Sequence, residues 1–191
     1  MNKYLEDFAY AFTKVGVDYY SWWALNSDKG YEQKAEINFS TELIRHFRNL
    51  MEEQGNLAHY EGLRIDADVT KARVIYKKKG IRPDIVLHAA AGNQDRQEFF
   101  AEVKLDSSAK LSDDLSKLIM AVSPTLNYKY GVMIVVNQSL QVTEGAIKNH
   151  DRIVEQPLEK LYLFHAVKNA DNETATHTIK SFTDVINTGQ E

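Results

Sequence analysis

Arg82-Pro83-Asp84-Ile85-Val86-Leu87-His88-Ala89 and, after a polar break, Glu98-Phe99-Phe100-Ala101-Glu102-Val103-Lys104-Leu105 are the segments from which the fold is read. Both are short, apolar and rich in β-branched or aromatic residues, so 84–90 and 98–105 read as strands. The polar stretch Ala91-Gly92-Asn93-Gln94-Asp95-Arg96-Gln97 between them reads as a hairpin connection. Alternation then places Glu102 and Lys104 on one face of the second strand, with Val103 on the other. If the strands pair, Asp84 comes to the same side near Glu102.

Upstream, Phe39, Leu43, Phe47, Leu50 and Met51 recur at helical spacing, with Ile44 on the flank, and predict an amphipathic helix over 36–54. Gly55 is placed to stop it. Residues 57–66 and 72–77 read as strands. Downstream, Leu111, Leu115, Leu118, Ile119 and Val122 mark a helix. Ser112 is its expected N-cap, Asp113 and Asp114 suit its positive end, and Pro124 follows its last turn. The run at 130–137 predicts a strand buried on both faces, 141–152 a helix and 160–167 a last strand. The final twenty residues are polar and are expected to be loosely held.

Leu5, Phe8, Phe12 and Val15 predict a helix within an aromatic-rich N-terminal extension, 1–30. It is expected to pack on the core; the sharper alternative is a partner surface. The expectation is one α/β domain over 1–191, with a central mixed sheet flanked by helices. Its core, 36–137, runs α-β-β-β-α-β, and 138–191 adds a helix, a strand and the polar tail.

Composition narrows the chemistry. The 191 residues are 43% hydrophobic and 26% charged, an ordinary globular balance. Lys and Arg number 23 against 27 Asp and Glu, for a net charge of −4, so any nucleic-acid contact must use a local patch. Cysteine is absent, which excludes disulfides, thiol nucleophiles, thiolate zinc sites and Fe–S clusters. No apolar run reaches 18 residues, and the N-terminus lacks a signal-peptide core, so a cytoplasmic protein is expected.

Two carboxylates converging from adjacent strands make a hard, oxygen-rich site that suits Mg²⁺ or Mn²⁺. A neighbouring lysine can orient or help deprotonate a water, and the metal would neutralise charge on a phosphoryl oxygen. Unpaired acids inside apolar strands are expensive, so Asp84, Glu102 and Lys104 form either a structural ion network or a metal site. Lys71, Arg73, Lys77, Lys78, Lys79 and Arg82 place six cations in twelve residues, immediately before Pro83-Asp84. Beside such a site they would hold a phosphate backbone. His88 reads as a structural residue, Glu61 and Arg64 as an ion pair, and Lys117 as a solvated lysine. There is no Gly-rich phosphate loop, HExxH, EF-hand loop or Ser-His-Asp pattern.

Pro83-Asp84, seventeen intervening residues, and Glu102-Val103-Lys104 resemble the signature of the PD-(D/E)XK nuclease superfamily. Glu36-Ile37-Asn38-Phe39-Ser40-Thr41-Glu42-Leu43 resembles its first helix, and the resemblance spans roughly 36–137. It implies a restriction-endonuclease-like fold and a Mg²⁺- or Mn²⁺-dependent nuclease acting on DNA rather than RNA. It implies metal binding by Asp84, Glu102 and the carbonyl of Val103, with Lys104 acting on the attacking water. A helix acid would complete the site. Glu36 is favoured over Glu42, which falls toward the polar side of the helical wheel. Lys77, Lys78, Lys79 and Arg82 would contact the nucleic acid. A homodimer would let two sites cut two strands. Relatives often carry a second basic residue after the lysine, where this chain has Leu105. The alternative is a catalytically inactive DNA-binding or assembly subunit on the same fold.

Overall fold

The computed structural model describes residues 1–20, 31–67, 71–76, 79–89, 96–105, 110–153, 156–171 and 173–188, with the backbone alone at 31–34, 71–76 and 79–80. The elements in chain order are α1 (Lys3–Lys14), α2 (Tyr31–Glu52), α3 (Leu57–Tyr60), β1 (Leu63–Ala67), β2 (Lys71–Tyr76), β3 (Lys79–Ile81), β4 (Ile85–Ala89), β5 (Gln97–Lys104), α4 (Ser112–Val122), β6 (Tyr130–Val136), α5 (Leu140–Lys148), β7 (Leu161–Lys168), β8 (Ala175–Ser181) and α6 (Phe182–Asn187). They form an α/β fold, as expected.

Six strands make one mixed sheet in the order β1-β4-β5-β6-β7-β8. The central β5, β6 and β7 are parallel, while β1, β4 and β8 run antiparallel to their neighbours. Strand β6 is a near-continuous apolar run because both its faces are covered. On one face, α1 and α2 supply Leu5, Phe8, Phe12, Phe39, Leu43 and Phe47 against Ile85, Phe99, Ala101 and Val103. On the other, α4, α5 and α6 cover Val86, Phe100, Met133 and Val135. The hairpin β2–β3 stands as a separate two-stranded sheet, so three strands of the main sheet precede α4.

The sequence expectations hold for most elements. The N-terminal helix is part of the core, with Asn2 capping it through Leu5 N–H and Phe8 stacked on Phe99 at 4.3 Å. Trp22 and Trp23 lie outside the described residues. Three local expectations need correction. The start of 57–66 is a helical turn, α3, and the strand begins only at Leu63. Ser112 is the first residue of α4 rather than its cap; Leu111 holds that position without a side-chain bond. The left-handed glycine stop is at Gly62 (φ 73°), before β1, and not at Gly55.

The C-terminal tail is also corrected. Strand β8 pairs along its length with β7, and α6 is closed by a capping box between Ser181 and Asp184. Phe182 and Val185 are fully buried. A tail that is polar on average is held by these two apolar side chains and a sheet edge.

Gly131 on β6 faces Leu161 of β7 and Leu118 of α4. A Cβ there would sit 2.9 Å from Leu161 Cδ2 and 3.4 Å from the Leu118 carbonyl oxygen. A side chain there would have to displace the Leu161 methyl, whereas the α4 backbone already lies at an ordinary van der Waals distance.

Candidate functional site

Strands β4 and β5 create the site through their register. Their last pair toward this end is Ile85 with Ala101, and the next residues outward are Asp84 and Glu102. Pro83-Asp84 precedes β4, so the ladder stops there. The Asp84 carboxylate accepts the Val103 N–H at 2.7 Å. Burial raises the Asp84 pKa, against the lowering effect of that hydrogen bond and of Lys104.

Glu102 points toward α4 and is completely buried. Its Oε2 accepts from Lys117 Nζ at 2.8 Å, while its Oε1 has no hydrogen-bond partner. Burial first, and the neighbouring Asp84 charge second, push its pKa well above the ordinary carboxylate range. Lys117 also donates to Asp114 at 2.7 Å, one helical turn earlier on α4. Burial works against the Lys117 charge, but Glu102 and Asp114 outweigh it and raise its pKa.

Lys104 stands at the end of β5, where its side chain reaches both helical layers. Its Nζ lies 3.4 Å from Glu36 Oε1 on α2 and 3.6 Å from Asp114 Oδ2 on α4. Desolvation opposes its charge, and the surrounding carboxylates override it, led by Asp114 and Glu36, so its pKa rises. Burial raises the Glu36 pKa, with Lys104 pulling the other way.

Four carboxylates (Glu36, Asp84, Glu102, Asp114) thus converge with two ammoniums (Lys104, Lys117). Fully ionised, the cluster carries an excess of two negative charges, with Glu102 and Asp114 buried and Glu36, Lys104 and Lys117 partly exposed. Protons or a divalent cation would relieve that excess. The hard oxygen donors and the unpartnered Glu102 Oε1 fit Mg²⁺ or Mn²⁺. As the groups stand, no set of three His, Asp or Glu among the described residues is arranged to hold a metal. The Val103 N–H engages Asp84, and Lys117 lies on Glu102 and Asp114.

Asp84, Glu102, Lys104 and Glu36, all expected from sequence, lie in this one cluster. Because α2 starts at Tyr31, Glu36 falls inside the helix, and its carboxylate reaches Lys104 at the end of β5. Glu42 is elsewhere, paired with Arg45 and His46. Asp114 and Lys117 are the residues that sequence reasoning missed. Lys117 is not a solvated lysine: it sits at the edge of the apolar stripe of α4, and its flexible stem carries the ammonium inward to Glu102. An Asp-Lys pair three apart, at the start of the helix that follows β5, was the available signal.

His88 meets Asp66 at 2.9 Å, the structural role expected of it. Arg64 pairs with Asp66, at 2.6 Å, rather than with Glu61. Of the basic cluster, Lys71, Arg73 and Lys79 lie on the β2–β3 hairpin, and Arg82 is exposed in the link to β4. Lys77 and Lys78 lie outside the described residues. The hairpin ends three residues before β4, so its chain leads directly into Asp84.

No helix among the described residues is long and apolar enough to cross a membrane. No family model matches the chain, and no curated protein or solved structure matches it either.

Proposed function

We propose that this chain is a metal-dependent nuclease of the PD-(D/E)XK kind, with a restriction-endonuclease-like core, hydrolysing phosphodiester bonds in DNA. The observation that carries the proposal is the buried Glu102 Oε1 without a partner, inside a cluster with two more carboxylates than ammoniums. Asp84, Glu102 and the carbonyl of Val103 would hold Mg²⁺ or Mn²⁺, with Glu36 closing the site from α2. The bound cation would supply a Lewis acid and a lower pKa for the attacking water.

The chain's own residues do the positioning. Lys104 stays protonated among its carboxylates, so it donates hydrogen bonds and orients the water or a phosphate oxygen rather than accepting a proton. Asp84 is fixed by the Val103 N–H and keeps its other oxygen for the site. Lys77, Lys78, Lys79 and Arg82 would hold the phosphate backbone without reading bases. A homodimer would bring two such sites to the two strands of a duplex.

A second reading, a catalytically inactive DNA-binding or assembly subunit on this fold, is favoured by one contact. Lys117 already occupies the space between Glu102 and Asp114 and offsets one of their two charges.

Melting midpoints with and without Mg²⁺ or Mn²⁺, for the wild type and Asp84→Asn, test the proposal together with plasmid cleavage. A cation at about a hundred times its Kd stabilises by roughly 2.7 kcal/mol. At about 2–4 °C per kcal/mol, that is a rise of roughly 5–11 °C in the wild type, lost in Asp84→Asn. Plasmid cleavage should require the metal and vanish in Glu102→Gln. Unchanged midpoints and intact plasmid at millimolar metal would refute the catalytic reading. Salt-sensitive plasmid binding without cleavage would then establish the second.

A further inference from the structure

The Lys117 ammonium lies where a cation is needed. It is 2.8 Å from Glu102 Oε2 and 2.7 Å from Asp114 Oδ1, and the Glu102 side chain is only 1% exposed. The other Glu102 oxygen, Oε1, is unpartnered. Without Lys117, Glu102 would be a buried carboxylate next to Asp84 with no cation hydrogen-bonded to it, which is costly. With it, the fold tolerates the site in the absence of metal.

We infer that Lys117 is an internal stand-in for the divalent cation, and that metal enters by exchange with its ammonium. The inference rests on the metal-site reading above. It adds that this chain controls occupancy of the site through α4.

The geometry supports an exchange rather than a permanent block. The Lys117 side chain is 24% exposed, so it borders solvent rather than being sealed in the core. Asp114 is on the same helix, one turn away, and remains its partner after Glu102 is surrendered. Exchange therefore breaks one ion pair of Lys117 and keeps the other. Asp114 also lies 3.6 Å from Lys104, so the same carboxylate steadies both lysines while Glu102 changes partner.

The cost of displacing the ammonium is subtracted from metal affinity. Removing the charge while keeping a donor, as in Lys117→Gln, should therefore tighten Mn²⁺ binding to the full-length chain at least about tenfold, equivalent to about 1.4 kcal/mol. Calorimetric titration with Mn²⁺ reads this directly. Lys117→Arg keeps a competing cation and should not gain affinity. Equal Mn²⁺ affinity in wild type and Lys117→Gln would overturn the inference and leave the metal site standing. Weaker binding in Lys117→Gln would overturn it too, and would make Lys117 a support of the site. Absence of binding in every protein would instead refute the metal reading, and the inference with it.

A measurement on the unaltered chain keeps the test independent of how the variants fold. Acylation by an amine-reactive reagent, mapped by mass spectrometry, should increase at Lys117 when Mg²⁺ is added. Lys129, paired with Glu98, is the control. Labelling of Lys117 that does not change with Mg²⁺ bound would overturn the exchange.

Discussion

Replacing Lys117 by Met removes one ammonium and leaves two carboxylates, Glu102 and Asp114, without the partner they share. Met keeps most of the stem's volume, so the packing of α4 changes little. Breaking a buried ion pair by deleting one member costs about 3–5 kcal/mol, because the remaining charge is left uncompensated. Glu102 sits at the severe end of this range, being wholly buried with one oxygen already unpartnered. For a chain of this size, the loss corresponds to a midpoint lower by about 6–20 °C.

The loss has a defined pH dependence. The Glu102 pKa is raised in the fold, so its charged form counts against stability as pH rises through that folded value. Below it, the carboxyl is protonated and needs no counter-ion. The Lys117→Met penalty therefore grows as pH rises through that folded value and shrinks as the solution is acidified. Urea denaturation of both proteins at about pH 7.5 and about pH 5 would measure it. A penalty that does not diminish on acidification would refute the account of Glu102 as a buried charge held by Lys117.

The remaining expectations concern the two faces of the sheet. Phe8→Ala empties a site walled by Phe47, Phe99 and Phe164, and should cost about 3–5 kcal/mol in chemical denaturation. A loss below about 1 kcal/mol would show that α1 is only appended to the core. Phe182→Ala should likewise cost about 3–5 kcal/mol, since Phe182 is fully buried at the start of α6. A near-neutral result would return the tail to the loosely held state that its polarity suggests.

Much of this molecule was legible in local patterns. The alternation around Glu102 and Lys104, the apolar run of β6 and the helical spacing of Phe39, Leu43 and Phe47 each depend on residues a few positions apart. Backbone geometry then fixes which side chains share a face. The pairing of β4 with β5 followed from the short polar break between them. Asp84 beside Glu102 was therefore readable, and so was Glu36, once α2 was allowed an early start.

Tertiary structure decided the rest. Lys117 reads as solvent-facing on a wheel, because a wheel records direction around an axis but not how near the next layer is. The packing of α4 on the sheet and the reach of a lysine stem bring its ammonium to Glu102. Asp114 reads as a favourable charge at a helix N-terminus, which it is, and it is also shared by two lysines from different elements. The tail is polar in composition, yet β7 offers it a strand edge and the α4–α5 face accepts Phe182 and Val185. Periodicity determines which face of an element is apolar. Only packing determines which charged groups from distant segments share one cluster, and the energy of each depends on that company.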